Sequence, residues 1–134
     1  MTANPDGTRC AVAVVGGGIA GLSLATELKR LGVEDVLVIE REAEAGGVPR
    51  HCGHYPFGWT EFKRVLKGPQ YAARMVMEAQ VAGVRVLTGT SVTRLLPKGR
   101  LHLSDQRGEF DLDAHRVVLC TGMSMEQHCI ETTK

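Results

Sequence analysis

The stretch Cys10-Ala-Val-Ala-Val-Val15-Gly-Gly-Gly-Ile-Ala-Gly21 decides the fold. Its first six residues form a continuous apolar run that stops at glycine, the pattern of a short strand buried on both faces of a parallel sheet. Immediately afterwards Leu22, Ala25, Leu28 and Leu31 recur at helical spacing, with no charge before Glu27 and with Gly32 placed as a left-handed helix stop. Val36-Leu-Val-Ile39 is a second buried run, closing on Glu40. The order strand, helix, strand predicts a right-handed crossover and a parallel pair.

Beyond Glu40 the texture changes. Residues 41–58 are rich in Gly, Pro, His and charge, a long irregular connection of the kind a small domain keeps for function. A short helix is predicted from Trp59 to Leu66, with Trp59 and Phe62 as its apolar anchor. After a break at Gly68-Pro69, the spacing of Ala72, Met75, Val76 and Ala79 predicts another helix, ended by Gly83, and Val84 to Leu87 a third strand. Ser91 to Leu96, Leu101 to Ser104 and Glu109 to Leu112, separated by Pro97-Lys-Gly99 and Asp105-Gln-Arg-Gly108, read as a small antiparallel meander over 91–112. Val117-Val-Leu-Cys120 returns to the buried parallel type and ends in Thr121-Gly122.

Composition bounds the rest. The chain has 134 residues, enough for one hydrophobic core, since a domain usually takes roughly 100–200. Sixteen Lys plus Arg stand against fifteen Asp plus Glu, and they are scattered, so nothing predicts a nucleic acid partner. The longest uncharged stretch, Cys10 to Thr26, is interrupted by glycines and falls short of the roughly 20 apolar residues of a spanning helix, so no membrane partner is expected. The polar residues 1–9 read as a flexible amino terminus without a secretory signal. Cysteines 10, 52, 120 and 129 form no paired CxxC units, which fits a reducing cytoplasm better than a disulfide framework.

Glycines 16, 18 and 21 match G-x-G-x-x-G between a strand and a helix. In a Rossmann-like turn the first glycine allows the tight turn, the second lets the backbone approach a pyrophosphate, and the third lets helix and strand pack closely. The amides of Gly16, Gly17, Gly18, Ile19, Ala20 and Gly21, with the positive end of the helix, would then hold that pyrophosphate without a lysine. Glu40 follows Gly21 by nineteen residues, near the spacing of about 20 at which an acid meets the adenosine ribose. A carboxylate there favours FAD or NAD over NADP, because it repels a 2′-phosphate. The competing explanation is a tight structural turn with a solvated acid at a strand end. A P-loop is excluded because no Gly-Lys-Ser/Thr follows.

The string Gly46-Gly-Val-Pro-Arg-His-Cys-Gly-His54, with Thr88-Gly-Thr90 and Val118-Leu-Cys-Thr-Gly122 later, resembles the amino-terminal FAD domain of two-dinucleotide-binding-domain flavoproteins. Within that group it looks most like the large subunits of opine oxidases, hydroxyproline dehydrogenases and hydrogen cyanide synthase. The resemblance covers about residues 10–122. It implies FAD as cofactor, with NAD as the alternative, and oxidation of an amine or amino-acid C–N bond. By the same resemblance Arg41 would flank adenine, the backbone of Gly47 and Val48 would lie beside the dinucleotide, the main chain of Val92 would meet adenine, and Thr121-Gly122 would pass near the pyrophosphate. Disulfide reductases of the superfamily carry two redox cysteines close together, and Cys52 has no such mate. Relatives also continue past Thr-Gly into a nicotinamide domain and a returning flavin-binding segment, whereas residues 123–134 are atypical. A truncated dinucleotide-binding remnant, a subunit that relies on a second protein or on its own copies, and an NAD-binding accessory module are therefore the alternatives to an enzyme domain.

Arg50, His51, Cys52 and His54 are the one cluster of reactive side chains. Arg50 is a candidate for balancing phosphate or flavin charge. His51 is a candidate proton carrier near neutral pH, and Cys52 a candidate activated thiol. Each is equally explained as a polar loop residue. The cluster offers too few ligands for structural zinc, and no metal is expected.

Overall fold

The computed structural model describes residues 9–53 and 57–122. Strands β1 (Arg9–Val15), β2 (Val36–Ile39), β3 (Arg85–Leu87), β4 (Ser91–Leu96), β5 (Arg100–Asp105) and β6 (Gly108–Leu119) form one sheet in the order β3-β2-β1-β6-β5-β4. Contacts β3-β2, β2-β1 and β1-β6 are parallel, and β6-β5 and β5-β4 antiparallel. This is the expected α/β Rossmann-like class with a meander attached. Helices α1 (Ile19–Arg30) and α3 (Gly68–Val81) cover one face, where Val14, Val36 and Val38 meet Leu22, Ala25, Tyr71, Met75 and Ala79. On the other face the meander closes a second core, in which Cys10, Ala13, Leu37 and Ile39 pack on Leu101, Leu103, Leu112 and Ala114. Strand β2 is buried at all four positions because both layers cover it. None of the described helices is long and apolar enough to cross a membrane.

Several expectations change. The third meander strand and the returning parallel strand are one twelve-residue strand, β6. Asp113 is its pivot, paired with Arg100 of β5 on one side and with Arg9 of β1 on the other. The polar sequence Asp113-Ala-His-Arg116 reads as a connection, yet Leu112 and Ala114 point into the core while Asp113 faces outward to the Arg100 guanidinium at 2.9 Å. Period-two alternation therefore runs through the apparent break.

The predicted helix over 59–66 is also shorter. Helix α2 is Trp59–Phe62 only, because Lys63 takes a left-handed conformation and Leu66 pairs with Phe57 in a two-bond bridge. Trp59 is 63% exposed and belongs to neither core among the described residues, whereas Phe62 packs edge-on to Tyr71 under the Arg74 guanidinium. Met75 is core and Met77 half exposed. Cys10 is buried as expected, but Cys120 lies just past the end of β6 and is only partly buried. The amino terminus up to residue 8, His54 and the tail 123–134 with His128 and Cys129 lie outside the described residues.

At the edge away from the glycine turn, buried Asp35 accepts two bonds from the Arg85 fork, at 2.9 and 3.0 Å, and its backbone carbonyl accepts from Ala11 and Val12. One residue thus joins the entry of β2 to both neighbours, its carboxylate to β3 and its backbone carbonyl to β1. Arg85→Ala is expected to lower stability by about 2–3 kcal/mol, below the usual cost of breaking a buried pair because Arg85 is itself partly solvated. A lower urea midpoint with an unchanged m-value checks this. Burial, and then the Asp35 charge, push the Cys10 thiol up to about 11, so it resists alkylation until the chain unfolds.

On the outer face of the meander His102 Nδ1 lies 2.6 Å from Asp111, with Glu109 at 3.6 Å. The Asp111 hydrogen bond raises the His102 pKa above its ordinary 6.5. A raised value means that the pair stabilises the fold in acid and that this contribution is lost as pH rises through the folded-state pKa. An NMR titration is expected to place the His102 midpoint above 6.5, and Asp111→Asn to bring it down.

Candidate functional site

The cleft lies at the carboxyl ends of β1 and β2, where parallel sheets of this kind bind ligands. Its volume is about 860 Å³. Gly16, Gly18, Ile19 and Ala20 form its floor, Glu40, Arg41 and Glu42 one end, Gly47 to His51 a wall, and Thr90 to Val92 with Cys120 to Gly122 the remaining sides. The structure therefore brings most of the anticipated residues to one place. Gly17 and Gly21 support the turn from behind, and Cys52 is not among the lining residues. Of the two candidates for chemistry, only His51 reaches the cleft; the Cys52 Cβ packs towards Gly68 at the start of α3.

Each glycine of the turn has a different physical reason. Gly16 has φ +112°, and a Cβ there would lie 2.1 Å from the Cys120 carbonyl oxygen. At Gly21 a Cβ would lie 1.9 Å from the Gly16 carbonyl oxygen, so helix and strand touch through it. Gly17 has its own requirement, missed in the motif because the x position carries no rule: a Cβ would sit 2.9 Å from the Glu40 Cβ and Oε2. Gly18 differs from all three. It has φ −76°, open to any residue, and the nearest atom to an added Cβ is the Gly47 Cα at 3.8 Å. Nothing among the described residues requires glycine at 18, and the open space beside it is the cleft.

Gly18 is the N-cap of α1 and supplies no side-chain oxygen to the first-turn N–H groups. No acid stands in that turn, whereas Lys29 and Arg30 occupy the last, so the charges favour an anion at the amino end. Glu40, 9% exposed, accepts from the Gly17 N–H through Oε2 at 2.9 Å and from the Glu42 N–H through Oε1 at 3.0 Å. An ionised carboxylate has about four acceptor sites, so two remain for ligand hydroxyls. The Glu40 backbone bonds to Leu87 and Thr90, which brings the 88–92 segment to the cleft.

Arg41 is half exposed and lies 3.6 Å from Glu42, while Val92 both lines the cleft and packs on the meander core. Arg50, the candidate for balancing phosphate or flavin charge, lines the cleft, and its guanidinium is also engaged by Glu44. Glu44 and Thr90 are cleft residues to which sequence reading assigned no site role, Thr90 being noted only within the Thr88-Gly-Thr90 string. Among the described residues no cluster of His, Cys, Asp and Glu could hold a metal ion.

The fit to a dinucleotide rests on the space at Gly18 and the spare acceptor sites of Glu40. The family model for pyridine nucleotide-disulphide oxidoreductase matches residues 10–133. A Baeyer-Villiger monooxygenase, peniC of Penicillium patulum, is 42% identical over 68 residues, which is 51% of this chain and 11% of that protein. The fold superposes on L-proline dehydrogenase from P. horikoshii with a TM-score of 0.71 and 26% identity, covering 85% of this chain and 22% of the other. Bacillithiol disulfide reductase Bdr from Bacillus cereus shares the fold at a TM-score of 0.71 and 21% identity, over 85% of this chain and 40% of the other. This chain thus spans a minor part of each of these relatives, and it belongs to the pyridine nucleotide-disulphide oxidoreductase family.

Proposed function

We propose that the chain is an FAD-binding domain that grips the ADP half of the dinucleotide, in a flavin-dependent oxidoreductase acting on an amine or amino-acid C–N bond. The observation that carries the binding reading is Gly18, a glycine that the packing of the described residues leaves unexplained, facing a cleft of about 860 Å³ at a helix amino terminus. The α1 amides from Gly18 to Ala20 hold the pyrophosphate, and Glu40 accepts from the ribose hydroxyls and repels a 2′-phosphate. Arg41 and Val92 flank adenine. Gly47, Val48, Thr121 and Gly122 offer backbone alongside, and His51 stands at the wall where a proton is to be moved. When bound, FAD supplies the hydride-accepting chemistry that oxidation of a carbon next to nitrogen requires. The C–N assignment is supported by the likeness to L-proline dehydrogenase and by the 46–54 string. Three free thiols among the described cysteines accord with a reducing cytoplasm.

Flavin absorbance of the purified chain, followed by titration with FAD, NAD and ADP, tests the reading. FAD is expected to bind, with ADP competing for the site and NAD binding less tightly. Binding of none of the three overturns it. Dye-coupled oxidation of an amino acid tests the catalytic part, and ADP binding as tight as FAD binding without turnover removes that part.

A second reading, a partner-dependent or non-catalytic dinucleotide binder, draws on the outer side of β6. From His115 onward β6 pairs with β1 but with no strand on its other side among the described residues, and Leu119 is 61% exposed there. Light scattering decides whether copies of the chain cover that edge, and a clean monomer directs the search to a second protein.

A further inference from the structure

The wall of the cleft facing Gly18 is built by a loop that closes on itself. Arg50 Nη1 donates to the Glu44 carbonyl at 3.0 Å and Nη2 to the Glu44 Oε2 at 3.0 Å, while the Arg50 N–H donates to the Gly47 carbonyl in a 3₁₀ turn over Val48–His51. The Arg50 stem lies across Gly46, whose added Cβ would meet the Arg50 Cγ and Cδ at 3.0 Å and the Ala72 Cβ at 2.8 Å. The side chain of Arg50 is accordingly only 22% exposed, against 74% for Glu44. Inside this ring Gly46 donates to the Gly17 carbonyl at 2.7 Å, and Gly47, at φ +68°, stands so near the turn that a Cβ would lie 2.9 Å from the Gly18 Cα. The ring therefore brings its backbone against Gly18, whose added Cβ would meet nothing closer than the Gly47 Cα at 3.8 Å among the described residues.

We propose that Glu44 and Arg50 form a clamp that sets the distance between Gly47 and Gly18, so that Arg50 is a positioning residue for the pyrophosphate site and Glu44 a functional member of it. This rests on the FAD-binding reading above and assigns within it a role that differs from a phosphate counter-charge. A counter-charge acts through its positive charge, which lysine also carries. A clamp acts through the planar fork, which reaches a carbonyl and a carboxylate together and which lysine lacks. The two roles also predict opposite signs at Glu44. Removing a carboxylate that only neutralises Arg50 frees the cation and strengthens phosphate binding. Removing one that holds the loop weakens it.

The experiment is titration of the whole chain with FAD, ADP and adenosine in the parent, Glu44→Gln, Arg50→Lys and the double variant, with thermal unfolding run on each. Glu44 is solvent-exposed, so Glu44→Gln is expected to stay folded and to bind ADP about threefold more weakly, the modest size following from solvent screening of the pair. Arg50→Lys is expected to weaken FAD and ADP about tenfold, with the double variant no weaker than Arg50→Lys alone, because both changes open one clamp. Adenosine affinity is expected to stay constant across all four, since it has no pyrophosphate to position; a general structural loss would reduce it as well. Faster amide hydrogen exchange at Gly46 and Gly47 in Glu44→Gln is the accompanying signature. Tighter ADP binding by Glu44→Gln, or parental binding by Arg50→Lys, overturns the clamp and leaves FAD binding intact. A parent chain that binds neither FAD nor ADP overturns the underlying reading instead.

Discussion

Gly18→Ala is expected to fold like the parent and to bind FAD and ADP about ten- to a hundredfold more weakly. The two halves of this result come from separate terms. For the fold, φ −76° suits alanine, and fewer unfolded conformations favour the variant by about 0.4–1 kcal/mol. Against that, alanine is a poorer N-cap than glycine by a few tenths of a kcal/mol or more, so the terms nearly cancel. For the site, the new methyl projects into the cleft where the pyrophosphate must approach. Overpacking by one such group costs about 1–3 kcal/mol, which spans that range of affinity.

Gly21→Ala is the matched control with the opposite outcome. Its Cβ falls 1.9 Å from the Gly16 carbonyl oxygen, a backbone atom that cannot swing aside. Helix α1 must lift from β1, and a loss of about 3 kcal/mol or more in stability is expected. Thermal unfolding and ADP titration of both variants separate the roles. If Gly18→Ala binds ADP like the parent, the cleft is not a pyrophosphate site.

That contrast also marks where sequence reading succeeds. Strand β1, the glycine turn, helix α1, strand β2 and Glu40 are legible because each is set by local pattern: an apolar run, a helical spacing, a residue without Cβ, an acid at a fixed separation. What was not legible depends on partners distant in the chain. Asp113 and His115 look like a connection until the two strands that flank β6 are known. Helix α2 stops at Phe62 because Leu66 has a partner in Phe57. Glu44 carries no motif, and only the folded loop shows that Arg50, itself at the cleft, is paired with it. Gly17 is legible as a backbone donor, but its steric need for glycine is not, since that comes from Glu40, twenty-three residues away.

Glu40 therefore joins the local and the distant parts of the site, and its removal is expected to harm stability and selectivity together. In Glu40→Ala the N–H groups of Gly17 and Glu42 both lose their acceptor, and a void opens beneath the turn. An orphaned buried donor costs about 1–3 kcal/mol, so a total near 3 kcal/mol and a fall in Tm of roughly 10 °C are expected, less whatever water recovers at the more open Glu42 side. Glu40→Gln is the sharper test of function. Its shape is kept, but one of its two terminal atoms becomes a donor and can no longer serve both N–H groups, so a smaller loss of about 1–2 kcal/mol follows. Its negative charge is gone as well. If Glu40 faces the adenosine ribose, the parent discriminates against ADP carrying a 2′-phosphate, and Glu40→Gln narrows that gap by about tenfold through relief of like-charge repulsion. The readout is a ratio of two affinities on the same protein, so a partly destabilised variant leaves it interpretable. A ratio unchanged between parent and Glu40→Gln, with both nucleotides still bound, would show that the carboxylate braces the glycine turn and does not read the ribose.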